Sequence, residues 1–291
     1  MKVSLHTSSL GNHDLNYVLS NVSRFGFRYV EIAADISITP HFSAHTAGPD
    51  DIATLDLLLS QNNLILSAID IGGWDTEFCI ANLGEEERIA AVERVSHVVG
   101  VAEKLRCEMV TSHLWGGPEE KTQDHAQVYA EQFIRSITEL CPLLEKTGVR
   151  MAFMPHPGGL IEESDSAVDL IKSTTCKNIG YIFGTGHTSI MCRPEQNSTQ
   201  MIAYADKSLT HVSVSDSHDT WRIVAPPEAK AHEHSAIGSG DVDFPEIFHA
   251  LLQNGFNGFL SVHLISELDR IEQAAIQTRL ELEKLIKAKL V

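Results

Sequence analysis

Short apolar runs alternate along this chain with longer stretches whose apolar positions recur every three or four residues. The first pattern predicts strands and the second amphipathic helices. Seven strands are predicted at residues 3–6, 29–32, 64–69, 109–112, 179–183, 209–213 and 258–263. An eighth, fifth in order, opens at Val149 and ends before the turn Pro155-His156-Pro157-Gly158-Gly159. Helices are predicted over 15–25, where Asp14 caps and Gly26 stops the run, then near 51–61, over 85–105, and from about 124 to just before Gly148. Further helices are predicted over 165–174, around 199–204, from the Asp243/Pro245 start to 253, and over 266–290. About 28 residues separate the seventh strand from Asp243, long enough to suggest a functional lid.

Eight strand-then-helix cycles in 291 residues give about 36 residues per cycle. That matches a closed (β/α)8 TIM barrel, which typically runs to ~250 residues or more. A doubly wound open sheet is the alternative. Its usual Gly-rich first turn is missing, because Thr7-Ser8-Ser9-Leu10-Gly11 contains no G-x-G-x-x-G. No linker-like or low-complexity tract divides the chain, so one domain over 1–291 is expected.

Alternation selects the inward side chains at each strand end. Ser4 and His6 face inward on the first strand, His211, Ser213 and Ser215 on the seventh, and Ser261 and His263 on the eighth. On the fifth strand Ala152, Met154 and His156 share one face, opposite Met151 and Phe153. The barrel mouth is therefore expected to hold His6, Glu31, Asp70, His113, His156, His187, His263 and Asp216. Packing alone does not explain so many of the fifteen histidines at one end of a barrel.

The formal net charge of −17 argues against nucleic acid and anionic membrane as partners. It leaves a small uncharged substrate open. The five cysteines are odd in number and no two are spaced C-x-x-C, so reduced thiols in a cytoplasmic protein are expected. The chain runs from Met1 directly into a strand, with no apolar signal core and no 18-residue apolar span.

Several strand-end motifs resemble those of the xylose-isomerase-like TIM barrels, the sugar phosphate isomerases/epimerases. They are R-M-A-F-M-P-H-P-G-G at 150–159, N-I-G-Y-I-F-G-T-G-H-T at 178–188 and L-T-H-V-S-V-S-D-S-H-D-T-W-R at 209–222. H-E-H-S-A-I-G-S-G-D-V-D-F at 232–244 resembles the family's lid segment, and G-F-L-S-V-H-L-I-S-E at 258–267 its eighth strand. The resemblance implies one divalent metal, commonly Mn2+ or Mg2+ and sometimes Zn2+ or Co2+. Its ligands would be Glu, Asp, His or Gln, and Glu on strands five to eight. Here those four positions are Met154, Gly184, Ser213 and His263. Hard divalent ions take oxygen ligands, so neither the usual metal nor the family's two-carboxylate proton relay is expected.

What the resemblance then implies is an enzyme, a sugar isomerase or epimerase or related lyase. It would act on a small carbohydrate or cyclitol without the family's metal, and form a homodimer or homotetramer. His263 is the leading proton carrier, with His187, His156 and His113 as the second carrier or carbonyl polariser. His6, Glu31, Asp70, Trp115, Asp216, Arg222 and His234 are the expected substrate contacts. Each has a plainer alternative: His263 filling the space of a lost Glu, Glu31 and Asp70 as paired buried carboxylates, Arg222 in a loop ion pair. No cofactor is expected, with a divalent metal (Zn2+, Mn2+ or Mg2+) as the alternative. The rival readings are an inactive sugar- or partner-binding subunit, and a zinc-type site rebuilt from His263 with His156, His187 or His113.

Overall fold

The computed structural model describes residues 1–34, 40–72, 77–114, 122–156, 159–187, 197–218 and 233–288. Eight parallel strands pair in sequence order and close on themselves, β1 with β8. They are β1 Lys2–His6, β2 Tyr29–Ala33, β3 Ile65–Asp70, β4 Met109–Leu114, β5 Arg150–Pro155, β6 Ile179–Gly184, β7 Leu209–Val214 and β8 Phe259–Val262. Helices follow as α1 Leu15–Arg24, α2 Pro49–Gln61, α3 Glu85–Lys104, α4 Gln123–Thr147, α5 Ser164–Ser173, α6 Ser198–Ala205, α7 Phe244–Gln253 and α8 Ile271–Ala288. The expected TIM barrel is the fold observed.

Local chemistry sets the helix limits. Asp14 caps α1 by accepting the Tyr17 N–H, and Asp243 caps α7 by accepting the Glu246 N–H ahead of Pro245. Gly148 ends α4 in the left-handed conformation, φ 73°. The last helix differs from its prediction over 266–290. Ile265–Arg270 is a 3-10 turn, and α8 begins only at Ile271. Glu267 explains the break: it leaves helical geometry, its Oε1 accepts the Ala236 N–H at 2.9 Å, and it pairs with Arg270 at 2.6 Å.

Two apolar layers hold the barrel. Alternation sends Met151 and Phe153 outward into the large core between strands and helices, with Leu5, Ile69, Phe183 and Val212. A small inner cluster of Ala68, Met109, Ala152, Met154 and Ile182 fills the barrel interior below the mouth. Register shifts fall at Val30/Glu31 and Tyr181/Ile182, each next to a residue that reaches the mouth.

One expectation is corrected. Cys141 of α4 and Cys176, before β6, form a disulfide with Cα atoms 5.6 Å apart. Spacing did not reveal it, because the two residues lie 35 apart and meet only when α4 and α5 pack side by side. Cys79 and Cys107 are buried outside this bond, and burial pushes the Cys107 thiol up to about 12. Among the described residues no helix is long and apolar enough to cross a membrane.

Candidate active site at the barrel mouth

The carboxyl ends of the strands line a recess that opens to solvent. Its lining includes His6, Glu31, Asp70, Thr111, His113, Met154, His211, Ser213 and His263. Among the described lining residues there is no Lys or Arg.

Glu31 and His211 form the floor. The His211 Nε2–H donates to Glu31 Oε2 at 2.9 Å, and the Thr111 hydroxyl donates to Glu31 Oε1 at 2.6 Å. Both paired residues are buried, Glu31 3% and His211 1% exposed. Burial alone would raise the Glu31 pKa. The charge and hydrogen bond of His211 overcome it and hold this carboxyl well below the ordinary range.

A second set of hydrogen bonds runs along the β3–β1–β8 wall. Asp70 Oδ2 lies 3.0 Å from His6 Nε2, and Asp70 Oδ1 accepts the Gly72 N–H at 3.0 Å. His6 Nδ1 lies 2.7 Å from Ser8 Oγ, which lies 2.7 Å from His263 Nε2. Ser8 sits in the 3-10 turn Thr7–Leu10 that follows β1.

From His263 a succession of imidazoles crosses the mouth. Ring centroids are 4.4 Å apart for His6–His263, 4.2 Å for His263–His234, 5.2 Å for His234–His187, 4.9 Å for His187–His156 and 5.4 Å for His156–His113. His113 Nδ1 lies 3.3 Å from the Gly72 carbonyl oxygen. That oxygen can only accept, so Nδ1 carries the proton and the lone pair of the neutral ring is on Nε2. Desolvation by burial lowers the His113 pKa, against the raising effect of nearby Asp70. Strands β4 and β8 are four places apart in a ring of eight, so His113 and His263 face the cavity from opposite walls.

The ligand positions implied for a divalent metal do not suit one. A side chain at Gly184 would place its Cβ 2.8 Å from Met154 Sδ and 2.9 Å from His187 Nδ1. The room for a strand-six carboxylate is thus filled by a thioether and an imidazole. Another group of donors could hold an ion on a different arc: atoms of His6, Glu31 and Asp70 all lie within 4.8 Å of one another. In this structure His6 and Asp70 hydrogen-bond each other, and Glu31 is held by His211 and Thr111.

Of the expected site residues, His6, Glu31, Asp70, His113 and His263 line the cavity. His156, His187 and His234 are buried in the imidazole succession. Asp216 is placed elsewhere: its carboxylate accepts the backbone N–H of Ser217, Gly238 and Val242. Trp115 and Arg222 lie outside the described residues. So does His232 of the H-E-H motif, whose Glu233 accepts from His218 at 2.7 Å. Sequence reasoning passed over Thr111, His211 and Ser8 as site residues. Thr111 and His211 share an inner face with His113 and Ser213, so alternation carried a signal for both. Ser8 had none, because a 3-10 turn has neither period.

Residues 19–285 match the family described as Xylose isomerase-like TIM barrel. A rhizopine catabolism protein, MocC, of Rhizobium meliloti is 27% identical over 139 residues. The match covers 45% of this chain and 42% of MocC, so it spans less than half of that relative. A solved D-tagatose 3-epimerase-like protein superposes with a TM-score of 0.78 at 18% identity, covering 99% of this chain and 98% of that one. An IOLI protein with a bound zinc atom gives 0.76 at 17% identity, with 99% of each chain covered. At such identities these structures share the fold. The sequence match itself runs from α1 to α8 across a barrel closed in strict chain order, and this chain belongs to the xylose isomerase-like TIM barrel family.

Proposed function

We propose that this protein isomerises or epimerises a small, unphosphorylated carbohydrate or cyclitol, with His263 and His113 moving a proton beside the substrate carbonyl. The observation that carries the reading is that two imidazoles face one cavity from opposite walls, each with one ring nitrogen already hydrogen-bonded to protein. One imidazole takes the proton from the carbon next to the carbonyl, and the C–H electron pair moves to the carbonyl oxygen as an enolate. The opposite imidazole, protonated, returns a proton to the other face of that carbon, which inverts it. Isomerisation needs one more transfer: the enolate oxygen takes a proton, the hydroxyl on the first carbon gives one up to become the new carbonyl, and the carbon-bound proton returns to the former carbonyl carbon. His187 and His156, beside His113, are suited to donate to the enolate oxygen. Glu31, Thr111 and Ser213 offer acceptors and hydroxyls for a polyol. A lining with two carboxylates and no described Lys or Arg disfavours phosphate. The D-tagatose 3-epimerase-like protein among the similar structures and the catabolic role in the name of MocC agree with this substrate class. No step is assigned to an ion at the strand-five to strand-eight position, because its donors do not fit one.

The test is incubation of a panel of ketoses and cyclitol ketones in D2O, following deuterium incorporation and product by NMR. Wild-type protein should incorporate solvent deuterium as it turns over one substrate. His263→Asn and His113→Asn should each lower kcat by about 100-fold or more, the usual weight of a positioned acid or base. Saturable binding of a panel member without exchange would overturn the reading in favour of a binding subunit. Activity lost on chelation and restored only by a divalent ion would overturn it in favour of a metal site.

A further inference from the structure

We propose that Asp70, His6 and Ser8 form a tautomer relay that fixes which ring nitrogen of His263 carries the proton. Its catalytic consequence rests on His263 acting as a proton carrier, as proposed above; the relay itself does not.

The direction of each hydrogen bond follows from what its end groups can do. A carboxylate only accepts, so the proton between Asp70 Oδ2 and His6 Nε2, 3.0 Å apart, belongs to His6. Neutral His6 then has its lone pair on Nδ1. The Ser8 backbone N–H points at that same nitrogen at 3.4 Å, which agrees with an acceptor there. Ser8 Oγ, 2.7 Å from His6 Nδ1, must therefore donate its hydroxyl proton to His6. The oxygen is left to accept from its other neighbour, His263 Nε2, also at 2.7 Å. His263 is thus held with Nε2 protonated, and its basic nitrogen is Nδ1. Ser8 is buried and outside the cavity lining, so it acts through His263 as a positioning residue. His6 and Asp70 serve as positioning residues in the same relay.

This arrangement makes an unusual demand on an isosteric substitution. Asp70 Oδ1 accepts the Gly72 N–H, a donor that cannot reverse. In Asp70→Asn the amide oxygen must stay on that side, and the NH2 then faces His6 Nε2. A donor there makes Nε2 an acceptor and moves the His6 proton to Nδ1. Ser8 now accepts from His6 and turns its hydroxyl towards His263 Nε2, and the His263 proton moves to Nδ1. One atom exchanged at residue 70 inverts a histidine two side chains away. A wrong tautomer at a catalytic imidazole is costly even when its position is unchanged.

The experiment is long-range 1H–15N NMR of the 15N-histidine-labelled full chain, at a pH where His263 is neutral. Wild type should show His263 with Nε2 protonated, and Asp70→Asn with Nδ1 protonated. Ser8→Ala should leave a mixture of the two tautomers, Ser8→Thr should restore the wild-type pattern, and adding Asp70→Asn to Ser8→Ala should change nothing further at His263. On an identified substrate, Asp70→Asn should lower kcat by about 100-fold or more, with a smaller change in KM. Inversion without the rate loss would uphold the relay and overturn His263 as proton carrier. The relay is overturned if wild-type His263 carries its proton on Nδ1, or if Ser8→Ala leaves its tautomer fixed. It is also overturned if folded Asp70→Asn leaves the tautomer unchanged. The Ser8 variants decide the matter should Asp70→Asn fail to fold.

Discussion

Removing the Glu31 carboxylate should destabilise the barrel in a way that depends on pH. Glu31 is 3% exposed, and its two oxygens take His211 Nε2–H at 2.9 Å and the Thr111 hydroxyl at 2.6 Å. Glu31→Ala leaves a buried imidazole without its counter-charge, and breaking such a pair costs about 3–5 kcal/mol. That is a large share of the ~5–15 kcal/mol by which folded proteins are stable. Glu31→Gln keeps the shape. Its amide oxygen satisfies one donor, and Thr111 has a second acceptor in Asp70 Oδ1 at 3.4 Å. The loss is then one charge-assisted bond, about 1.5–3 kcal/mol. The folded carboxyl is held well below the ordinary range, whereas in the unfolded chain it titrates near about 4.3. A depressed folded pKa gives stability that is fully present above the unfolded value and lost as pH falls below it. Between pH 7 and pH 3.5 the wild type should lose about 1.2 kcal/mol through this group, and Glu31→Gln should not. Urea unfolding followed by fluorescence and circular dichroism at several pH values measures both effects. A wild-type-to-Gln gap that stays constant over this range, or an Ala variant that loses under about 1 kcal/mol, would show that Glu31 and His211 are not an ion pair in the folded protein.

Three other outcomes are expected. Gly184→Ala should cost about 1–3 kcal/mol by crowding Met154 Sδ and His187, and less in a Met154→Ala background. Equal costs in the two backgrounds would refute the contact. Non-reducing peptide mapping should recover Cys141 joined to Cys176, with reduction costing about 3–4 kcal/mol for a loop of this length. Alkylation of both residues in the native, unreduced protein would contradict the bond. An NMR titration of His113 should give a midpoint below the ordinary value near about 6.5, because burial disfavours its charged form. A midpoint at or above that value would place the ring in water.

The sequence disclosed what depends on period and on chain punctuation. Alternation placed His6, Glu31, Asp70, His113 and His263 at one mouth, because a strand offers only two faces and the outer one is apolar. Asp14 and Asp243 marked helix starts because a cap is a local event. Side-chain pairing between distant segments stayed hidden. Nothing near Cys141 announces Cys176, and Glu31 and His211 lie 180 residues apart. Ser8 was hidden for another reason: its neighbour His263 is 255 residues away, and the turn that aims it has no hydrophobic pattern. The final helix was read too early because Ser266–Arg270 has helix-forming residues, while tertiary bonds to Glu267 decide its backbone.

Asp216 bears on how tolerant this part of the barrel is to changes in chain length. Its backbone pairs with that of Ser235, and its carboxylate gathers the N–H groups of Gly238 and Val242. His218 and Glu233 add a second tie across the same neck. Residues 216–218 and 233–242 are therefore held to each other by bonds of their own. Loop-closure entropy grows only slowly with length, so a change in the number of residues between two such ties costs little stability, while the eight strands and their histidines keep their places.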